Sequence, residues 1–136
     1  MKTIVVGYDE TDPAQRALAR AADLAEAFGA KVIVTSVAPV LTGSREMGAI
    51  DPADPPEEHQ QELDHARAFL SGRGIEGEFQ LAAGDPADAI VELADRSGAD
   101  LIVVGTRQPN LVSHLLGQSV SGAVTRKANC DVLVVH

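Results

Sequence analysis

The sequence predicts an α/β domain: an open, doubly wound parallel sheet with helices on both faces. Two patterns lead to this class. First, five β-branched apolar runs punctuate the chain, at Thr3 to Val6, Lys31 to Val37, Glu76 to Leu81, Leu101 to Val104 and Val132 to Val135. Within them IVVG, VIV, LIVVG and VLVV are nearly continuous rather than alternating, which suits strands covered on both faces. Second, each gap between runs holds an amphipathic helical segment, so the order reads βαβαβαβαβ over one domain of residues 1–136.

The helices follow in order. Pro13 to Phe28 places Leu18, Ala21, Ala25 and Phe28 on one stripe, with Asp12 as a cap, Pro13 in the first turn and Gly29 at the end. Pro56 to Ser71 turns Leu63, Ala66, Phe69 and Leu70 inward and sets Glu57 and Glu58 at its positive end. The third helix opens at Asp85-Pro86 and presents Ile90, Val91 and Ala94, with Glu92 and Arg96 one turn apart. The fourth, Ser119 to Ala128, presents Val120, Ala123 and Val124 and carries Arg126 and Lys127 in its last turn. The loop 39–55, rich in Gly, Ser, Pro and Asp, is long for a connector and reads as surface.

Composition narrows the function. The chain has 136 residues, enough to bury roughly two-thirds of its unfolded surface. With no Trp, one Tyr and three Phe, its core must be aliphatic. A net charge of −9 argues against nucleic acid, whose binding depends on neutralising phosphates. The single cysteine, Cys130, removes any disulfide framework or cysteine-rich zinc site. The first residues, MKTIVVGYDE, are too short an apolar run for a signal peptide or membrane span, so a cytoplasmic protein is expected.

In open parallel sheets, ligands bind beyond the carboxyl ends of strands where the winding reverses. Two strands end in glycine, at Gly7-Tyr8-Asp9 and at Gly105-Thr106-Arg107. A glycine there admits a close neighbour, backbone or ligand. Asp9 suits paired sugar hydroxyls, or it opens the turn into the first helix. Arg107 suits a phosphate, or it is a solvated loop arginine. The segment Gly105 to Val124 ends a strand, loops, and enters a helix through Gly117, Gln118, Ser119, Val120 and Ser121. Exposed N–H groups and hydroxyls at a helix start suit an anion; Ser119 as an ordinary N-cap explains the same residues without one.

Three stretches together carry a family resemblance: IVVGYDETDPAQRALARAADLA, GDPADAIVELADRSGADLIVVGT and SVSGAVTRKANCDVLVVH. Over essentially the whole chain, apart from loop 39–55, they resemble the universal stress protein family. The resemblance implies a Rossmann-like, adenine nucleotide alpha hydrolase-like sheet ordered 3-2-1-4-5. It also implies homodimers paired through the last strand, 131–136. Many members bind ATP through G-x2-G-x9-G-[ST]. Here Gly105 and Ser119 fit the ends of that motif, Gln108 and Gln118 replace its second and third glycines, and Gly117 stands one place early. The family's adenosine contacts fall on Asp9, Val37 (through its backbone) and Val104, and its phosphate-side positions on Val120 and Ser121.

These readings give a stress-response regulatory dimer that binds ATP, with magnesium, or another adenine nucleotide between strands 1 and 4. The alternative is a nucleotide-free dimer acting through protein partners, which the two glutamines favour. Catalysis is not expected: there is no Walker lysine motif, and the three lysines are Lys2, Lys31 and Lys127. His59 and His65 are six apart, a poor spacing for one metal face. His114 reads as an exposed loop imidazole, Cys130 as a quiet thiol, and the acidic run Asp51 to Glu58 as a solvated loop and helix start.

Overall fold

A computed structural model of the chain describes residues 1–9, 11–38, 56–106 and 120–136. In chain order the elements are β1 (Thr3–Gly7), α1 (Asp12–Phe28), β2 (Lys31–Ala38), α2 (Pro56–Gly72), β3 (Gly77–Ala83), α3 (Pro86–Ser97), β4 (Leu101–Gly105), α4 (Val120–Lys127) and β5 (Asp131–Val135). The strands form one parallel sheet ordered β3-β2-β1-β4-β5. Both the element sequence and the strand order agree with expectation.

Strand geometry divides the core. Successive side chains point to opposite faces, so Ile4, Val6, Val32, Val34 and Val103 pack under α1 and α2. Val5, Ile33, Ile102 and Val104 pack under α3 and α4. Every central strand thus buries both of its faces, which is why its sequence reads as an unbroken apolar run. From β1 the chain steps outward to β2 and β3 under one pair of helices. It then crosses back through α3 to β4 beside β1, and α4 leads on to β5.

Small residues set how closely α1 seats. Its inner face is Ala14, Ala17, Leu18, Ala21, Ala22 and Ala25, all buried. At Gly105 the approach is tightest: a Cβ there would lie 2.5 Å from the backbone carbon of Pro13 and 2.7 Å from the amide nitrogen of Ala14. The glycine ending β4 therefore accommodates this protein's own first helix. Gly7 faces the opposite layer, where a Cβ would meet the flexible Cδ1 of Ile90 at 2.7 Å.

Several helix details differ from expectation. Thr11, not Asp12, caps α1: it is extended, and its hydroxyl accepts the Ala14 N–H. Asp12 is the first helical residue. Phe28 has the right angular position, but it is the last residue of the helix and is 58% exposed. Phe69 lies on the flank of the α2 stripe and is also exposed, with the Arg73 guanidinium 5.7 Å from its ring centroid. The buried centre of that stripe is His59, Leu63, Ala66 and Leu70. On α3, Leu93 is buried and Val91 only half-buried; on α4, Ser121 is buried while Val120, the first residue, is exposed. Among the described residues, Glu92 and Arg96 form no ion pair. Loop 39–55 lies outside the described residues.

Two measurements test this packing. Gly105→Ala should cost about 1–3 kcal/mol in denaturant unfolding, because the Cβ meets backbone that cannot rotate away. Gly7→Ala should cost less, since one side chain can move. The second concerns Asp100, whose carboxylate accepts the Lys2 N–H at 2.8 Å and the Thr3 N–H at 3.0 Å. Those backbone bonds hold it below its ordinary value of 3.8, against a smaller opposing effect of burial. A depressed folded value stabilises above the unfolded value and loses that contribution as pH falls through the folded one. The stability difference between wild type and Asp100→Asn should therefore shrink as pH drops below about 4.

Candidate functional site at the β1–β4 switch

β1 pairs with β2 on one side and with β4 on the other, Ile4 opposite Leu101 and Val6 opposite Val103. The winding direction reverses between β1 and β4, so their carboxyl ends flank one crevice. Asp9 stands at the tip of β1, exposed, and turns the chain into α1. Thr11 donates to Asp9 Oδ1 twice, from its N–H at 3.1 Å and from its hydroxyl at 2.7 Å. Both bonds end on Oδ1, and Oδ2 remains an acceptor at the rim. The two readings of Asp9 are thus compatible, because the turn uses one oxygen.

The second wall is the end of β2. In a parallel ladder, alternate residues bond to alternate neighbours. Lys31 N–H donates to Lys2 O, and Tyr8 N–H donates to Thr35 O, so residues 31 and 35 of β2 address β1. Val32 and Ala38 address the β3 side, through Val32 N–H to Glu76 O and Gly84 N–H to Ala38 O. Val37 follows the β1 pattern, but β1 ends at Gly7. By that alternation its N–H and C=O belong to the β1 edge of β2, past the last β1 pair, Gly7 with Thr35. Below Val37 on the same sheet face, Thr35 Oγ1 is buried with no hydrogen-bond partner among the described residues.

Across the crevice, Val104 is buried and Gly105 half-buried. The Thr106 N–H donates to Val135 O at 2.8 Å, tying the tip of β4 to β5. On α4, Ser121 is buried and its carbonyl accepts the Thr125 hydroxyl. Arg107, Gln108, His114, Gly117, Gln118 and Ser119 lie outside the described residues. The structure thus brings Asp9, Val37, Val104 and Gly105 to the strand tips, and sets Val120 and Ser121 at the start of α4.

Sequence reasoning missed one cluster beside this crevice. His59 Nδ1 lies 2.6 Å from Ser36 Oγ and 2.7 Å from Glu62 Oε1, and Ser36 Oγ donates to Glu62 Oε1 at 3.1 Å. Ser36 is fully buried and His59 is 6% exposed. The signal was available: His59 sits four residues before Leu63 and seven before Ala66, a polar residue on an apolar stripe.

A doubly wound parallel sheet with its crevice at the β1–β4 reversal places the protein among Rossmann-like α/β folds of the adenine nucleotide alpha hydrolase kind. A sequence profile of the universal stress protein family matches residues 1–136. Universal stress protein Rv1636 of Mycobacterium tuberculosis (strain ATCC 25618 / H37Rv) is 32% identical over 142 residues, covering 99% of this chain and 96% of that protein. The chain belongs to the universal stress protein family. Among solved structures, a universal stress protein in complex with cAMP aligns with a TM-score of 0.77 at 31% identity, covering 99% of this chain and 97% of the other. The universal stress protein from Archaeoglobus fulgidus in complex with dAMP aligns with a TM-score of 0.78 at 30% identity, covering 100% and 98%.

Among the described residues, no group of three His, Cys, Asp or Glu side chains could hold a metal, and no helix is long and apolar enough to cross a membrane. Cys130 precedes β5 and is half-buried. Burial raises its thiol above the ordinary value, and repulsion from Asp131, Asp95 and Asp100 adds to the effect. Fewer thiolates form at neutral pH, so reagents that attack thiolate meet less of it. Cys130 should react with a disulfide reagent more slowly than a small free thiol at pH 7, and unfolding should remove the difference.

Proposed function

We propose that this chain, acting as one domain over residues 1–136, binds an adenine nucleotide in the crevice between β1 and β4. It works as a cytoplasmic, non-catalytic stress-response regulator. The observation that carries this reading is the position of Asp9, one oxygen of which the turn leaves as an acceptor, at the tip of β1 beside the end of β2 at the β1–β4 reversal. A carboxylate suits the ribose hydroxyls, and an extended backbone edge suits a base that both donates and accepts. The cAMP and dAMP complexes of similar proteins support adenosine as the ligand's core.

Those ligands carry a single phosphate. Gln108 and Gln118 stand where the ATP motif has glycines, the residues whose missing side chain lets backbone wrap a triphosphate. We therefore favour an adenosine monophosphate over ATP. Magnesium enters this reading only as the counterion of a triphosphate. Dimerisation through 131–136 is supported by β5 standing at an edge of the sheet, half-buried from Val132 to Val135. The same two glutamines favour the second reading, a nucleotide-free dimer that acts on protein partners.

Calorimetry and thermal unfolding with AMP, cAMP, dAMP, ATP with magnesium, and GMP as control decide between them. Saturation at a hundred times Kd should stabilise the fold by about 2.7 kcal/mol. Asp9→Asn keeps the Oδ1 acceptor for Thr11 but turns the outer oxygen into a donor. It should weaken AMP by about tenfold or more, the loss of a charge-assisted bond worth roughly 1.5–3 kcal/mol. No thermal shift with any adenine nucleotide at millimolar concentration would sink the nucleotide reading and leave the interaction dimer.

A further inference from the structure

We propose that Ser36, His59 and Glu62 form a clamp that fixes the end of β2, so that the backbone of Val37 faces the crevice in one set position. They are positioning residues, not ligands of the nucleotide. The functional half of the proposal rests on the nucleotide reading above; the mechanical half does not.

The chemistry of the triangle is constrained. Two lone pairs do not settle 2.7 Å apart, so His59 Nδ1 must carry a proton and donate it to Glu62 Oε1. Ser36 Oγ spends its own proton on the same oxygen. The imidazole tautomer and ring orientation are therefore fixed by Glu62. Glu62 is itself largely enclosed, its side chain 13% exposed, and a carboxylate there needs these donors.

Packing alone does not call for such a cluster. Leu63, Ala66 and Leu70 already fill the α2 stripe, and buried polar groups can often be exchanged for apolar ones without loss of stability. What an apolar residue cannot supply is direction. Ser36 immediately precedes Val37, and the fixings around Val37 bracket it closely. Thr35 O is held by Tyr8 N–H, Ser36 Oγ by the His59–Glu62 pair, and Ala38 O by Gly84 N–H. Val37 is left between them, with its polar groups turned beyond β1. The clamp also joins β2 directly to α2, the elements on either side of residues 39–55 in sequence.

The test uses the full chain carrying His59→Leu, His59→Asn or Ser36→Ala. Three quantities are read: unfolding free energy, AMP affinity, and the NMR signals of the Val37 amide and the His59 ring nitrogens. In wild type, the ring nitrogens should show a protonated Nδ1 and move little when AMP is added. His59→Leu should fold, with its Val37 amide signal displaced, its amide exchange faster and its AMP affinity about tenfold lower. The Asn side chain places an N–H where Nδ1 was, so His59→Asn should recover most of that affinity and the native Val37 signal. If His59→Leu does not fold, Ser36→Ala, which removes one hydroxyl, is read by the same signals. An unmoved Val37 amide in a folded variant overturns the clamp. So does an affinity lost equally in the Leu and Asn variants, or a His59 ring that contacts AMP directly. If wild type binds no adenine nucleotide, the functional reading falls, and the Val37 amide still decides the clamp.

Discussion

β1 and β4 lie far apart in sequence yet pair in parallel from Ile4–Leu101 to Val6–Val103, and the architecture of the crevice follows from that ladder. A chain that wound in one direction only would place β4 beyond β3 and leave no reversal. Crossing back over β1 requires a strand that can accept neighbours on both edges and helices on both faces. β1 meets this with Ile4, Val5 and Val6, all fully buried. Aliphatic side chains make this possible, because they carry no polar group that would need a partner between the layers.

Seating α1 is the second consequence. The helix must leave the tip of β1 and turn at once onto the opposite layer, passing the tip of β4. Asp9 and Thr11 make that turn through three hydrogen bonds, and Gly105 gives way beneath Pro13. The site and the fold therefore use the same residues. Asp9 is committed to the turn by one oxygen before any ligand arrives, which holds the other at a fixed place. Elsewhere the charges are peripheral: Arg73 joins Asp23 and Glu26 across α1 and α2, and Lys127 joins Asp88 across α3 and α4. Exposed pairs of this kind contribute little each and serve mainly to register helices against one another.

The sheet was legible in the sequence because a strand buried on both faces cannot alternate, and few other elements produce runs such as LIVVG. Helix faces were less legible. A stripe read from spacing is wide, and Phe28 and Phe69 fall within it, yet one lies at a helix end and the other on a flank. Only the neighbours decide such cases, and the neighbours are tertiary. His59 is a different case: its spacing to His65 speaks against a shared metal face, and its partners are a serine on β2 and a glutamate one turn away. A histidine aligned with Leu63 and Ala66 had to be buried, and a buried imidazole has to be hydrogen-bonded. That inference needed no structure. The identity of Ser36 as partner did, since nothing local links residue 36 to residue 59.

Charge gives the crevice a direction. In a chain of net charge −9, a phosphate placed near Asp9 would face repulsion from its carboxylate. On the proposed reading Asp9 and Val37 instead take the uncharged end of a nucleotide, ribose and base, by accepting and donating hydrogen bonds. The phosphate, on the same reading, lies toward β4 and the start of α4, where the positive end of the helix dipole favours an anion. On that reading the carboxylate of Asp9 and the positive end of α4 lie on opposite sides of one reversal point. A ligand with separate polar and anionic ends then fits, on the proposed reading, in a single orientation. A plain phosphate would engage half of it, and a plain nucleoside the other half.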